Sequence, residues 1–180
     1  MKMKGIVFSE FTEMVEEKFS VEMLDEIIME SDLPSGGAYT TVGTYDHNEI
    51  IQLVSKLSEK TDIEVDELVF TFGLHLARRF SIKFTDFFNE ASHLFDFMKS
   101  LDNHIHVEVL KLYPDAELPK FTFDDSDPEC LIMEYTSERG FSTLAHGLII
   151  GVAQYYNESI DIEVEHIEQN KHVLFKLNKK

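Results

Sequence analysis

The sequence has no tryptophan, one cysteine, four prolines and few positive charges. Each shortage excludes something. With Cys130 alone, no disulfide can close within the chain, and a reducing compartment suits it. Cys130 reads as a small hydrophobe beside a strand rather than a reactive thiol. The longest apolar run is LII at 148–150 with its neighbours, far short of the roughly 20 residues that span a bilayer. The opening MKMKGIVFSEFTEM lacks the apolar core of a signal peptide. A cytoplasmic protein with no membrane partner is expected. Sixteen Lys and Arg stand against 34 Asp and Glu, a formal charge of −18. Such a surface repels nucleic-acid backbones, so no nucleic-acid partner is expected. It suits docking on a basic patch of another protein, or serves solubility alone.

What is present is apolar bulk. Hydrophobic residues make up 43% of 180, and fifteen are Phe, enough to build one compact domain. Helical spacing runs over 5–19 and 21–28. SDLPSGGAYTTVGTY (31–45) reads as a loop. Asp46 with Glu49 resembles a capping box opening a helix to about Glu59. A longer helix is expected over 64–80, with Val65, Leu68, Val69, Phe72, Leu76 and Phe80 inward, and its Arg78-Arg79 pair near solvent. More helix follows over 84–99, broken near Asn89. After Pro119 the pattern changes to strands at 121–123, 130–137, 159–167 and 172–177, with a helix at 141–156. In that helix Gly147 and Gly151, four apart, predict a flank that approaches a sheet closely. Helices first and a small antiparallel sheet last make the fold class α+β.

The stretch LDNHIHVEVLKLYP (101–114) sets two histidines in apolar surroundings. As a strand, His104, His106 and Glu108 would share one face, a possible non-haem metal arm. As a helix, with His104 at zero, Glu108 falls near 40° and Lys111 near 340°, a polar stripe. His106 falls near 200°, in the middle of an apolar arc from about 80° to about 300°. The helix sorts all ten residues from His104 to Tyr113 by polarity and turns His106 inward and His104 outward. A buried histidine is most simply a core residue bonded to a carbonyl. One imidazole cannot hold a bare zinc ion, but it suffices for haem, whose porphyrin supplies four bonds. YTSERGF (135–141) adds a second constellation. On a strand, Tyr135, Ser137 and Arg139 alternate onto one side, presenting two hydroxyls and a guanidinium suited to haem carboxylates. The plainer reading of that segment is a solvated strand edge.

Taken together, YTSER and the upstream HVEVLKLYPDAELP resemble the H-NOX family, the haem–nitric oxide/oxygen binding domains, over nearly the whole chain. The family's Tyr-x-Ser-x-Arg motif matches Tyr135, Ser137 and Arg139, its proximal histidine matches His106, and its haem-contacting proline matches Pro119. Met3-Lys4-Gly5 resembles the family's usual start, which makes Met1-Lys2 an extension. The resemblance implies haem b buried between a helical N-terminal subdomain, about 1–65, and an αβ subdomain, about 66–180, bearing a four-stranded sheet and one long helix. Distal positions that are polar or Trp in oxygen-binding members correspond to Phe11, Leu76 and Leu144. Apolar side chains offer no hydrogen-bond donor, so selectivity for NO over O2 follows, with CO a weaker ligand. The cysteine-rich zinc site of some members is absent, since no cysteine follows Cys130. A monomer is the default expectation, and the resemblance further implies a sensor, not an enzyme. It would signal by release of His106 to a separate histidine kinase or cyclic-di-GMP enzyme. The rival readings are a haem-free adaptor, a binder of small apolar ligands, or a metalloenzyme using the HxHxE stretch.

Overall fold

In the computed structural model, which describes residues 1–180, helices fill the first two-thirds of the chain and an antiparallel sheet most of the rest, as α+β requires. The order is β1 (Lys2–Lys4), α1 (Gly5–Lys18), α2 (Val21–Met29), β2 (Thr44–Asp46), α3 (His47–Thr61), α4 (Val65–Lys83), α5 (Thr85–Glu90) and α6 (Leu94–Ser100). A π-helical turn, Leu101–Ile105, leads into α7 (His106–Leu112). Then come β3 (Lys120–Asp127), β4 (Cys130–Thr136), α8 (Ser142–Tyr155), β5 (Ile160–Glu168) and β6 (His172–Lys179). The last four strands form one sheet in the order β3-β4-β6-β5, with every neighbour antiparallel.

Local chemistry explains the boundaries. Ser20 Oγ accepts from the Met23 N–H at 3.1 Å and opens α2. Asp46 accepts from the Asn48 N–H at 3.0 Å and opens α3. The expected capping box does not close, because the Glu49 carboxylate turns inward and takes the hydroxyls of Ser35 and Tyr39. Burial of that carboxylate demands donors, and two hydroxyls supply them. The sequence pattern missed the two-stranded sheet of β1 and β2, in which Lys2 faces Asp46 and Lys4 faces Thr44. Three-residue strands carry no readable alternation. Met1-Lys2 is therefore built into the fold: Lys2 lies in β1, and the Met1 carbonyl accepts from the His47 N–H at 3.1 Å.

Two apolar clusters meet along α4. One gathers α1, α2, α3 and the first part of α4, with Phe8, Phe11, Leu53, Leu57, Phe72 and Leu76. The other joins the sheet to α5, α6 and α8 and begins at Ala77. Val65, expected inward, is exposed at the start of α4. Arg79, expected near solvent, reaches the fully buried Glu10 on α1, with Nε 2.7 Å from Oε2, and Lys83 joins the same carboxylate. A charge out of water needs such partners.

The glycine flank of α8 meets a helix, not the sheet. A Cβ on Gly147 would lie 2.2 Å from the Phe70 carbonyl oxygen, one on Gly73 2.5 Å from the Leu144 carbonyl oxygen, and one on Gly151 2.4 Å from Ala77 Cβ. The α4 and α8 backbones touch where these small residues face each other, which lets both helices present their other residues to the space beside them.

Candidate cofactor cavity

Between α1, α4 and α8 on one side and α7, the following loop and β4 on the other lies a cavity of about 320 Å³, within the range of about 300–1,000 Å³ typical of cofactor sites. Twenty-seven of its 36 lining residues are hydrophobic, so it suits a large, mainly apolar occupant. Everything that α1, α4 and α8 contribute is apolar: Ile6 and Val7; Leu76, Ala77 and Phe80; Leu144, Ala145, Leu148, Ile149 and Val152. None of these side chains can donate a hydrogen bond.

The opposite side holds one imidazole. Residues 101–112 are helical, so the strand geometry that would align His104, His106 and Glu108 is not adopted. His104 turns outward to Glu90, at 2.8 Å. His106 lines the cavity. The cavity face of this segment is Ile105, His106 and Val109, with Leu112 at its open end and itself exposed, while Val107 and Leu110 face solvent. The buried arc is thus narrower than polarity suggested, and His106 stands at its edge rather than its middle. The π turn contributes to that setting: the His106 N–H reaches back five residues to the Leu101 carbonyl.

Asp102, which sequence reasoning missed, fixes the ring. Its Oδ1 accepts from His106 Nδ1 at 2.9 Å, and its Oδ2 accepts from the Phe121 N–H of β3 at 2.9 Å. With Nδ1 occupied, Nε2 is the nitrogen left for a ligand. Burial lowers the affinity of the His106 ring for a proton, and the Asp102 hydrogen bond opposes this only in part. The net effect favours a neutral imidazole, the form that binds metal. A carboxylate four residues before a histidine on a helix was the signal available in the sequence.

Polar groups gather at the mouth. Tyr135, Ser137, Arg139 and Pro119 all line the cavity. Only Tyr135 is on a strand; β4 ends at Thr136, and Ser137 and Arg139 lie in a turn closed by the Gly140 N–H on the Ser137 carbonyl at 3.2 Å. Gly140, at φ 66°, makes that turn possible. Strand alternation was therefore the wrong geometry for bringing Arg139 to Tyr135. The Tyr135 hydroxyl accepts from the Phe141 N–H at 3.1 Å, and burial pushes its own pKa up. The Arg139 guanidinium donates to the backbone carbonyls of Lys2, at 3.0 Å, and of Glu117. Those acceptors are neutral.

Leu76 and Leu144 line the cavity, and Phe11 does not. Phe11 lies one helical turn beyond Val7 and packs its ring on Phe72, centroids 5.2 Å apart, within the N-terminal core. Ungapped counting along α1 reached the right helix but not the right turn; Ile6 and Val7 form that part of the wall. No helix of the chain is long and apolar enough to cross a membrane.

Comparison with known proteins places the fold. The profile of the Haem-NO-binding family matches residues 4–164. The crystal structure of an unliganded Fe(II) H-NOX protein from K. algicida superimposes with a TM-score of 0.93 at 39% identity, covering 99% of this chain and 97% of that one. The solution structure of the IWP-051-bound H-NOX from Shewanella woodyi in the Fe(II)CO state is also 39% identical, with a TM-score of 0.86 and coverage of 99% and 95%. An H-NOX protein from S. oneidensis in the Fe(II)NO state, 23% identical, shares the fold at a TM-score of 0.91 over 99% of both chains. No curated protein sequence matches the chain.

Proposed function

The chain belongs to the H-NOX (Haem-NO-binding) family, and from that premise we propose that it is a haem-based sensor selective for nitric oxide. The residues present fit the group. The cavity is apolar along its length and cationic at its mouth, and it holds an imidazole whose Nδ1 is already engaged. His106 Nε2 is the single protein ligand such a site needs. Arg139, with the hydroxyls of Ser137 and Tyr135, would hold the carboxylate tails, and Pro119 would contact the ring. Bound haem b would supply a ferrous iron with one face open to a diatomic gas.

The observation that carries selectivity is the wall built by α1, α4 and α8. It brings no hydrogen-bond donor to the cavity, so it would favour NO and CO, which need none, over O2. The same wall lacks the acid–base group that peroxide chemistry requires, which favours a sensor over an enzyme.

Signalling would run through α7. Asp102 ties His106 to β3, so a change in how His106 is held would be passed to β3 and α7, and from there to the two apolar clusters that meet along α4. Such an arrangement would serve as a two-state element biased by ligand. Its output would be a changed contact between this acidic surface and a separate histidine kinase or cyclic-di-GMP enzyme, the sensor itself being a cytoplasmic monomer.

One set of absorption spectra tests the reading. The purified, reduced protein should show a Soret band that shifts on adding NO and stays unchanged in air. A stable oxygenated spectrum would overturn NO selectivity. A protein that stays colourless when haem is supplied would return it to the class of haem-free apolar-ligand binders or adaptors.

A further inference from the structure

The cavity mouth carries a cation outside the Tyr-x-Ser-x-Arg motif. Lys4 ends β1, and its Nζ lies 2.6 Å from Asp115 Oδ1 and 2.7 Å from Thr44 Oγ1. Thr44 Oγ1 in turn donates to Asp115 Oδ2 at 3.1 Å. Lys4, Thr44 and Asp115 all line the cavity, as does Tyr113, whose ring centroid is 5.2 Å from the ammonium. The two ends of the pair are held differently. The Lys4 side chain is 12% exposed, fixed by β1, Thr44 and the Tyr113 ring, whereas that of Asp115 is 60% exposed on the loop after α7. Lys4 and Thr44 hold the Asp115 carboxyl below the usual range, so it is ionised near neutral pH. The backbone brings Lys4 beside the motif arginine: Arg139 donates to the Lys2 carbonyl, two residues away on the same strand. Arg139 and Lys4 are therefore brought near one another at the rim, where Lys2 and Glu117 also line the cavity; Lys4 is in a direct ion pair, whereas the Glu117 carboxylate acts on Arg139 only at longer range.

We propose that Lys4 is a second cation for the carboxylate tails of the bound cofactor, and that Asp115 competes for the same ammonium. The proposal rests on the haem reading above. The exchange replaces one carboxylate by another on Lys4, so the ammonium is never left without a counter-ion, and Asp115 is the partner better placed to leave. Because Asp115 lies in the loop that leaves α7 at Leu112, the exchange also detaches that loop from β1 and β2.

Competition gives the two partners opposite effects. Haem loss to an excess of a scavenging apoglobin should be about tenfold faster in Lys4→Met than in wild type, the worth of one charge-assisted hydrogen bond. It should be slower than wild type in Asp115→Asn and near wild type in Lys4→Arg. Loading the proteins with the haem dimethyl ester, which has no carboxylates, should remove the difference between Lys4→Met and wild type. Faster loss in both Lys4→Met and Asp115→Asn would make the pair a structural clasp and overturn the proposal. So would a Lys4→Met effect that persists with the ester, or no effect in either variant. If wild type takes up the ester and haem alike but never shows haem-like axial ligation, the earlier reading of His106 fails instead.

Discussion

The two sides of the cavity are positioned by opposite means. On the side of α1, α4 and α8 the side chains end in methyl and phenyl groups, and their positions depend on how closely the backbones pack at Gly73, Gly147 and Gly151. On the side of α7, the following loop and β4, the polar side chains are placed by partners: His106 by Asp102, Asp102 by the Phe121 N–H, Arg139 by two carbonyls, Lys4 by Thr44 and Asp115. Volume sets one wall and hydrogen bonds set the other. Damage to the first should appear as lost stability or altered gas choice, and damage to the second as lost cofactor.

The sharpest break is His106→Ala. It should abolish the Soret band, and added imidazole should restore it; His104→Ala should leave it intact, because His104 pairs with Glu90 outside the cavity. Haem loss in the His104 variant instead would reverse the assignment of the two sides. Next is Gly147→Val. With the Phe70 carbonyl 2.2 Å from any Cβ, the helices must separate, and overpacking of this kind costs about 3 kcal/mol. Urea unfolding of the variant should show a midpoint well below wild type. A midpoint equal to wild type would show that volume does not set this wall. Leu144→Tyr should change chemistry more than stability, since it brings a hydroxyl to the donor-free wall; a spectrum that now changes reversibly in air is the expected sign.

The smallest effect concerns pH, behind the apolar wall. Burial alone would raise the Glu10 carboxyl, but Lys83 and Arg79 more than reverse this and hold it below 4.5. Burial pushes the His75 ring down, with Glu17 opposing in part. His75 Nε2 has no hydrogen-bond partner and lies 3.4 Å from Glu10 Oε2. Both folded values lie below the unfolded ones, so in each case the unfolded chain takes up a proton first, and both contributions to stability fall with acidification. The urea midpoint should drop as pH falls below about 6.5, from His75, and again below the ordinary carboxylate range, from Glu10. Glu10→Gln should flatten the second decline and deepen the first, because the Glu10 carboxylate favours the charged His75 ring.

Much of this was legible in the residues, for identifiable reasons. The helix through 104–113 followed from polarity, and the late sheet from its alternation. What failed needed contacts distant in sequence. Gly147 and Gly151 announced a close approach but not its partner, which proved to be Gly73 and Ala77 on α4. Arg78-Arg79 looked solvated because Glu10 lies 69 residues from Arg79 and presents no local pattern. β1 and β2 are too short for any period, and with them the role of Lys4 was out of sight. Phe11 shows the limit of counting: a correct helix with the wrong turn leaves a residue one layer too deep.

The wide turn at Leu101–Ile105 has a consequence for the imidazole that follows it. It accommodates one residue more than an ordinary turn, and α6 and α7 are phased accordingly. Should its hydrogen bonds re-register to the common span, everything beyond would rotate by about 100° and advance by about 1.5 Å. Asp102 and His106, four residues apart, would stay on one helical face, so their hydrogen bond is compatible with either span. The span of this turn, which ends one residue before His106, therefore fixes how far α7 is rotated against α6.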